Sequence, residues 1–189
     1  MQNVCVYCGS SDDVAGSYRG AARDVGAELA RRGIGVVFGG GSVGLMGEVA
    51  DAAMAAGGQV VGVIPRKLEQ FELGHRGITR LEVVEDMHAR KLRMAEISDA
   101  FIALPGGWGT WEEMFEAVTW TQLGYHKKPV GVLNVDGYYD HLLAFVDHAA
   151  KEGFVRPHVR HLLAHATEIG ALLKALREME IPEFGDVIS

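Results

Sequence analysis

The sequence predicts an α/β protein with a Rossmann-like, doubly wound parallel sheet between two layers of helices, a three-layer αβα fold. Three observations lead to this class. Short β-branched runs recur along the 189 residues, each is followed by glycine or polar residues and then a helical pattern, and the runs are apolar throughout. Strands that are apolar on both faces are typical of a parallel sheet that helices cover on each side.

The runs place seven strands and six helices along the chain. The strands are expected at Val4–Cys8, Ile34–Phe38, Val60–Ile64, Leu81–Glu85, Ala100–Leu104, Val130–Asn134 and, as a short strand, near Leu162–Ala164. The helices are expected at about Tyr18–Arg32, Val43–Ala56, Met87–Ile97, Trp111–Leu123, Tyr138–Glu152 and Glu168–Glu178. Pro65–Thr79 is rich in charge and glycine and is interpreted as an irregular, mobile flap. We expect residues 1–180 to form a single domain, with 181–189 as a loose C-terminal tail.

The first strand contains both cysteines of the chain in a C-x-x-C spacing. That spacing suggests redox or zinc chemistry. On a strand, however, positions i and i+3 face opposite sides, so Cys5 and Cys8 are expected to point away from each other. No second C-x-x-C completes a zinc site. We therefore interpret both cysteines as packed thiols.

Composition and charge exclude several classes of partner. The chain has 18 Lys+Arg against 25 Asp+Glu, and a net charge of −7 without a basic run argues against nucleic acid. No apolar run approaches the ~18–20 residues that cross a bilayer, so no membrane partner is expected. The first residues lack the basic region and cleavage site of a signal peptide. We expect a cytoplasmic protein.

A glycine-rich loop, GGGSVGLMG over Gly39–Gly47, follows the second strand and opens a helix. In such sheets ligands bind at the carboxyl ends of strands, where Ser10 also lies. Glycines and a helix N-terminus suit a phosphate, so Gly40 and Gly41 are candidate binding residues. A dinucleotide site would carry an acid about 20 residues further on. Residues 61–66 contain none, which disfavours NAD, while Arg66 leaves NADP open; close strand–helix packing is the structural alternative.

The third predicted helix, at about Met87–Ile97, carries cations on its apolar face. Met87, Arg90, Lys91 and a further methionine fall at i, i+3, i+4 and i+7. Snorkelling of the two long side chains would explain this without any function. A buried guanidinium without a partner is costly, so an anion or a carboxylate is expected opposite. The two acidic candidates are Glu113 and Glu72.

The loop PGGWGTWEE over Pro105–Glu113 follows the fifth strand and also runs into a helix. Its glycines and free N–H groups suit a phosphate or another anion. The candidate binding residues of this loop are Gly106, Gly107, Trp108, Gly109 and Thr110. Thr110 and Glu113 also fit the capping box S/T-x-x-E. On spacing alone, Glu113 either caps the helix or takes part in chemistry.

GGGSVGLMG over 39–47, MHARK over 87–91 and PGGWGTWEE over 105–113 together resemble the Lonely Guy (LOG) family. The resemblance covers nearly the whole chain, and the pairing of MHxRK with PGGxGTxxE is specific for the family. Members are cytokinin riboside 5′-monophosphate phosphoribohydrolases, whose relatives were often named lysine decarboxylases. They hydrolyse the N-glycosidic bond of N6-modified AMP to the free base and ribose 5-phosphate. The resemblance implies a Rossmann-like homodimer with no metal and no organic cofactor.

The resemblance also implies roles for particular residues. Arg90 and Glu113 would form the catalytic pair. The nucleotide would be bound by Glu72, Lys91, Gly106, Gly107, Trp108, Gly109, Thr110, Trp111 and Glu112, with Ser10, Gly40, Gly41 and Met87 beside them. The chain departs from the family pattern at Trp108 and Trp111, where Tyr and Leu are common, and Phe71 stands where Arg is frequent. These departures bear on base preference and substrate affinity.

Other functions stay open on the sequence. A non-catalytic nucleotide or molybdenum-cofactor carrier would use the same loops only to bind. A PLP-dependent decarboxylase needs a Schiff-base lysine, for which Lys91 is the one candidate at the predicted site. The predicted helix with Met114, Phe115, Val118 and Trp120 has more apolar surface than one core face requires, which favours a homodimer.

Overall fold

A parallel sheet is the frame of this computed structural model, which describes residues 1–71 and 74–183. Within those residues seven strands lie in the order β4-β3-β2-β1-β5-β6-β7, and each neighbouring pair is parallel. The strands are β1 (Asn3–Tyr7), β2 (Gly35–Phe38), β3 (Val60–Pro65), β4 (Arg80–Val84), β5 (Ala100–Ala103), β6 (Val130–Leu133) and β7 (Leu163–Ala166). The predicted Rossmann-like α/β class is confirmed.

Helices cover both faces of this sheet. They are α1 (Gly16–Arg31), α2 (Gly44–Ala55), α3 (Arg66–Glu69), α4 (Met87–Glu96), α5 (Trp108–Gln122), α6 (Asp140–Lys151) and α7 (Ile169–Glu178), with 3₁₀ turns at Val135–Gly137 and Pro157–Leu162. Buried residues of α1, α2 and α7 form one core, and those of α4, α5 and α6 form another on the opposite face. Across the described ranges, none of these helices combines the length and the apolar character that crossing a membrane requires.

Strand β1 separates the two cores by simple alternation. Val4, Val6 and Cys8 belong to the core with α1 and α2, whereas Cys5 and Tyr7 belong to the core with α4 and α5. Successive strand side chains point to opposite faces, so the two thiols lie on different sides of the sheet. Both are buried and free, which confirms their interpretation as packed thiols.

Two sequence-based expectations were wrong. The fifth helix begins at Trp108 rather than Trp111, and its N-cap is Gly107, so Thr110 is not a cap and the capping box does not form. The flap is not wholly irregular. It contains the single turn of α3, and Gly74 pairs with Gly41 in an antiparallel bridge.

Two further expectations fall partly outside the structure. Glu72 lies outside the described residues. Of the expected C-terminal tail, residues 181–183 have no regular structure, and residues 184–189 are outside the described range.

The strand order reverses at β1, which lies between β2 and β5. The loops that leave these strands touch each other. The Gly9 N–H donates to the Pro105 carbonyl at 3.0 Å, and the Leu45 N–H donates to the Gly9 carbonyl at 3.0 Å. A crevice at such a reversal, outside the carboxyl ends of the strands, is the usual ligand site of open α/β sheets.

Candidate active site

A cavity of about 380 Å³ opens at this reversal of the strand order. Its walls come from the ends of β1, β2 and β3 and from the first turns of α4 and α5. The predicted site residues that line it are Ser10, Gly41, Met87, Arg90, Gly107, Trp108, Gly109, Thr110 and Glu113. Sequence reasoning therefore identified half of the lining, and the structure brings these residues together.

Gly39, Val43 and Met46 also line the cavity and lie in the predicted loop over 39–47, but they were not singled out. Sequence reasoning missed the rest of the lining, which consists of Val6, Tyr7, Cys8, Gly9, Ile64 and Leu68. Tyr7 and Cys8 could have been found, because they stand at the carboxyl end of β1 where the strand order reverses. Ile64 and Leu68 carry no signal beyond being apolar.

Arg90 is held by main-chain carbonyls at the ends of two strands. Helix α4 begins after Asp86, whose side chain accepts the Ala89 N–H at 2.8 Å, and Arg90 follows one turn later. Its Nε donates to the Val63 carbonyl at 3.2 Å, and its Nη2 donates to the Gly39 carbonyl at 3.1 Å. A Cβ at position 39 would lie 1.8 Å from Nη2, so only glycine leaves room for the guanidinium.

Glu113 is the carboxylate opposite this guanidinium. Nη1 of Arg90 lies 3.6 Å from Oε1 of Glu113, and the two side chains are 11% and 9% exposed. Burial raises the pKa of Glu113 to about 7, and the neighbouring Glu112 and Glu116 add to this increase, whereas Arg90 and Lys91 oppose it. Near neutral pH this carboxyl group therefore exchanges protons readily, as acid–base catalysis requires.

The first turn of α5 supplies N–H donors to the same cavity. Trp108, Gly109 and Thr110 line it, and their N–H groups precede the first i→i−4 bond of the helix, from the Trp111 N–H to the Gly107 carbonyl. Gly107 has no side chain with which to cap them. This end of the helix also carries partial positive charge, so it suits an anion.

The N–H groups in the first turn of α2 already have hydrogen-bond partners within the protein. The Gly44 N–H donates to the Asp12 carboxylate at 3.0 Å, and the Leu45 N–H donates to the Gly9 carbonyl. These two donors stabilise the contact between the loops after β1 and β2. The first turn of α5, rather than that of α2, therefore offers the better anion site.

Five of the predicted binding residues lie outside the cavity lining. Lys91 is buried in ion pairs with Glu112 and Glu116. Trp111 packs edge-on against Trp108, with ring centroids 5.2 Å apart. The carbonyl of Gly106 accepts the Tyr138 hydroxyl, and that of Gly40 accepts the His75 N–H. Their roles as ligand contacts stay predictions.

Metal-binding side chains are not grouped at the site. In residues 1–71 and 74–183, no three His, Cys, Asp or Glu side chains lie as a metal ion would need. Cys8 lines the cavity, but burial raises the pKa of its thiol well above the usual range. A protonated thiol is a poor nucleophile and a poor metal ligand.

The fold and the cavity together define a Rossmann-like α/β protein with a small-molecule site in which an arginine faces a glutamate. A family model described as possible lysine decarboxylase matches residues 46–176. The chain is 50% identical over 189 residues to the cytokinin riboside 5′-monophosphate phosphoribohydrolase LOG7 of Arabidopsis thaliana, covering 100% of this chain and 87% of the relative. The chain belongs to the Lonely Guy (LOG) family, as its motifs predicted.

A second relative and two solved structures complete the comparison. The probable phosphoribohydrolase LOGL9 of Oryza sativa subsp. japonica is 52% identical over 178 residues, which cover 94% of this chain and 78% of the relative. The molybdenum cofactor carrier protein of Chlamydomonas reinhardtii matches with a TM-score of 0.70 at 23% identity, over 94% of this chain and 99% of that chain. The molybdenum cofactor binding protein of Rippkaea orientalis matches with 0.71 at 20%, over 94% and 96%. The structural matches show the fold alone.

Proposed function

We propose that the protein hydrolyses the N-glycosidic bond of N6-modified AMP, such as a cytokinin riboside 5′-monophosphate, to the free base and ribose 5-phosphate. The observation that carries this proposal is the buried Arg90–Glu113 pair in a cavity of nucleotide size. Relatives that are about half identical to this chain are named for the same reaction. The molybdenum-cofactor carriers share only the fold, which favours hydrolysis over a carrier function.

In the proposed reaction each group of the site has its own part. The 5′-phosphate lies on the N–H groups of Trp108 to Thr110 at the start of α5. Ionised Glu113 orients the attacking water, accepts its proton as the new C1′–O bond forms, and balances the positive charge of an oxocarbenium-like ribose. Arg90 holds the phosphate or the ribose and stabilises the base, which leaves with the electron pair of the C1′–N bond. The base is neutralised by a proton from solvent, and Glu113 returns the proton of the attacking water to solvent. Water is the only co-reactant of this step.

Removing either member of the pair tests the proposal. Glu113→Ala and Arg90→Ala should each lower turnover by at least ~10²-fold, because positioned acid–base groups supply 10²–10⁴-fold. The measurement is chromatography of free base released from N6-isopentenyl-AMP and from AMP. Glu178→Ala, at an exposed position on α7, is the matched control. Near-normal turnover by both folded, AMP-binding variants would reject the two roles.

We further propose that this activity resides in one nucleotide-binding domain, residues 1–180, and that the protein is a cytosolic homodimer. The dimer is supported by exposed apolar side chains on α4, on α5 and on the turn after α5. They are Leu92, Phe115, Leu123 and Tyr125. Leu92 and Tyr125 line the same surface depression. Exposed apolar patches of this kind are typical of an interface.

A further inference from the structure

Two hydrogen bonds of the His75 ring, one to Asp51 and one from Gly77, fasten residues 74–77 to the middle of α2. We call this pair of hydrogen bonds the clip. His75 is 8% exposed, and its Nε2 lies 3.0 Å from Oδ1 of Asp51. The Gly77 N–H donates to Nδ1 of the same ring at 3.1 Å. Because Nδ1 accepts this hydrogen bond, it carries no proton of its own. The ring proton is therefore on Nε2, which donates a hydrogen bond to Asp51. The clip therefore fixes both the tautomer and the orientation of His75.

Residues 74 and 75 contact the glycine loop after β2 and stabilise its conformation. The His75 N–H donates to the Gly40 carbonyl at 2.8 Å, and Gly74 pairs with Gly41. Gly40 has φ +76°, a conformation that other residues rarely adopt, and it packs against Leu81. The loop thus takes its shape from contacts on its outer side as well as from the sheet.

The same loop holds the guanidinium of Arg90. One of its two carbonyl partners, Val63, belongs to β3 and is fixed by the sheet, where it pairs with Glu82 of β4. The other, Gly39, is in the loop, and the next residue is the one that His75 holds. A shift of the loop would therefore move the Gly39 carbonyl and release Nη2 of Arg90.

We propose that His75, oriented by Asp51, is a positioning residue that fixes Arg90 through the loop after β2. Neither residue lines the cavity, so the effect is transmitted through the main chain. The inference rests on the proposed hydrolysis. Displacement of a catalytic group by about 1 Å can cost about 10²-fold, and since the Val63 contact remains, a loss of about 10-fold in kcat is expected.

The variants separate the two hydrogen bonds of the ring. His75→Gln keeps a donor near Nε2, His75→Asn keeps only an acceptor near Nδ1, and Asp51→Ala removes the partner. For N6-isopentenyl-AMP, His75→Asn and Asp51→Ala should lower kcat by about 10-fold with KM changed by less than about threefold, whereas His75→Gln should stay within about threefold of wild type. The double variant that combines His75→Asn with Asp51→Ala should lose no more kcat than either single variant.

His141→Asn, at an exposed histidine of α6, should leave kcat unchanged. Wild-type kcat in His75→Asn and Asp51→Ala would overturn the proposal, and so would an equal loss in His75→Gln and His75→Asn.

A measurement without turnover separates this proposal from the proposed function. If the wild-type protein releases no base, the proposed hydrolysis fails, but the clip is still testable by NMR of protein labelled with ¹⁵N-arginine. Exchange of the Arg90 guanidinium protons should be at least about 10-fold faster in His75→Asn than in wild type or His75→Gln. Equal exchange in all three proteins would overturn the clip itself.

Discussion

At the scale of the residue, the role proposed for Glu113 predicts the pH dependence of the reaction. Burial raises its pKa to about 7, and the proposed mechanism uses the carboxylate. The active form is therefore present above pH 7 and is lost as the pH falls, so kcat/KM for base release should fall by about tenfold per unit below pH 7 and stay level above it. The measurement is kcat/KM from pH 5.5 to 9 with N6-isopentenyl-AMP.

The substrate itself does not explain such a profile. A phosphate monoester has its second pKa near 6, about one pH unit below the point at which ionisation of Glu113 should make kcat/KM fall. The residual kcat/KM of Glu113→Gln should not fall near pH 7, because a glutamine side chain does not ionise. An equally steep limb at the same pH in Glu113→Gln would assign the titration to another group.

At the scale of the element, the ion pairs of Lys91 join α4 to α5, the two helices that carry the proposed catalytic pair. Its ammonium contacts Glu112 and lies 2.9 Å from Glu116. Burial alone would lower the pKa of Lys91, but these two carboxylates outweigh it and raise the pKa. Lys91→Met should therefore lower the free energy of unfolding by about 1–3 kcal/mol and leave KM within about threefold.

Denaturant unfolding and steady-state kinetics together test this role for Lys91. Lys174→Met, at an exposed lysine 4.0 Å from Glu178, is the matched control and should cost less than about 0.5 kcal/mol. A large rise in KM with unchanged stability would instead make Lys91 a ligand contact, the role implied by the family resemblance.

The start of α5 shows where local sequence patterns fail. The pattern from Thr110 to Glu113 fits a capping box, yet the helix begins three residues earlier than predicted, at Trp108. A glycine N-cap contributes no side-chain signal, so the spacing alone favoured the later start. Its consequence is functional, because the uncapped first turn faces the cavity and Glu113 points to Arg90 rather than back along its own helix.

At the scale of the whole molecule, the predictable features are those that repeat along the chain. Apolar strands alternating with helices give the layers of the fold, and the carboxyl-end rule places Arg90 and Glu113 in one cavity although they are 23 positions apart in the sequence. The bond between His75 and Asp51 has no such signature. It depends on the path of the chain after β3, which neither periodicity nor a motif specifies.

The exposed apolar side chains on α4 and α5 predict how two copies of the protein assemble. Leu92 is 53% exposed there, and burying it in a symmetric interface would recover hydrophobic free energy of about 25 cal/mol per Å². Leu92→Glu places a charge in that interface and should change the molar mass found by light scattering from two chains to one. Phe145→Glu, at a similarly exposed apolar residue of α6, should leave the mass unchanged. A wild-type protein that is monomeric at all concentrations, or a dimer that Leu92→Glu does not disturb, would exclude this face as the interface.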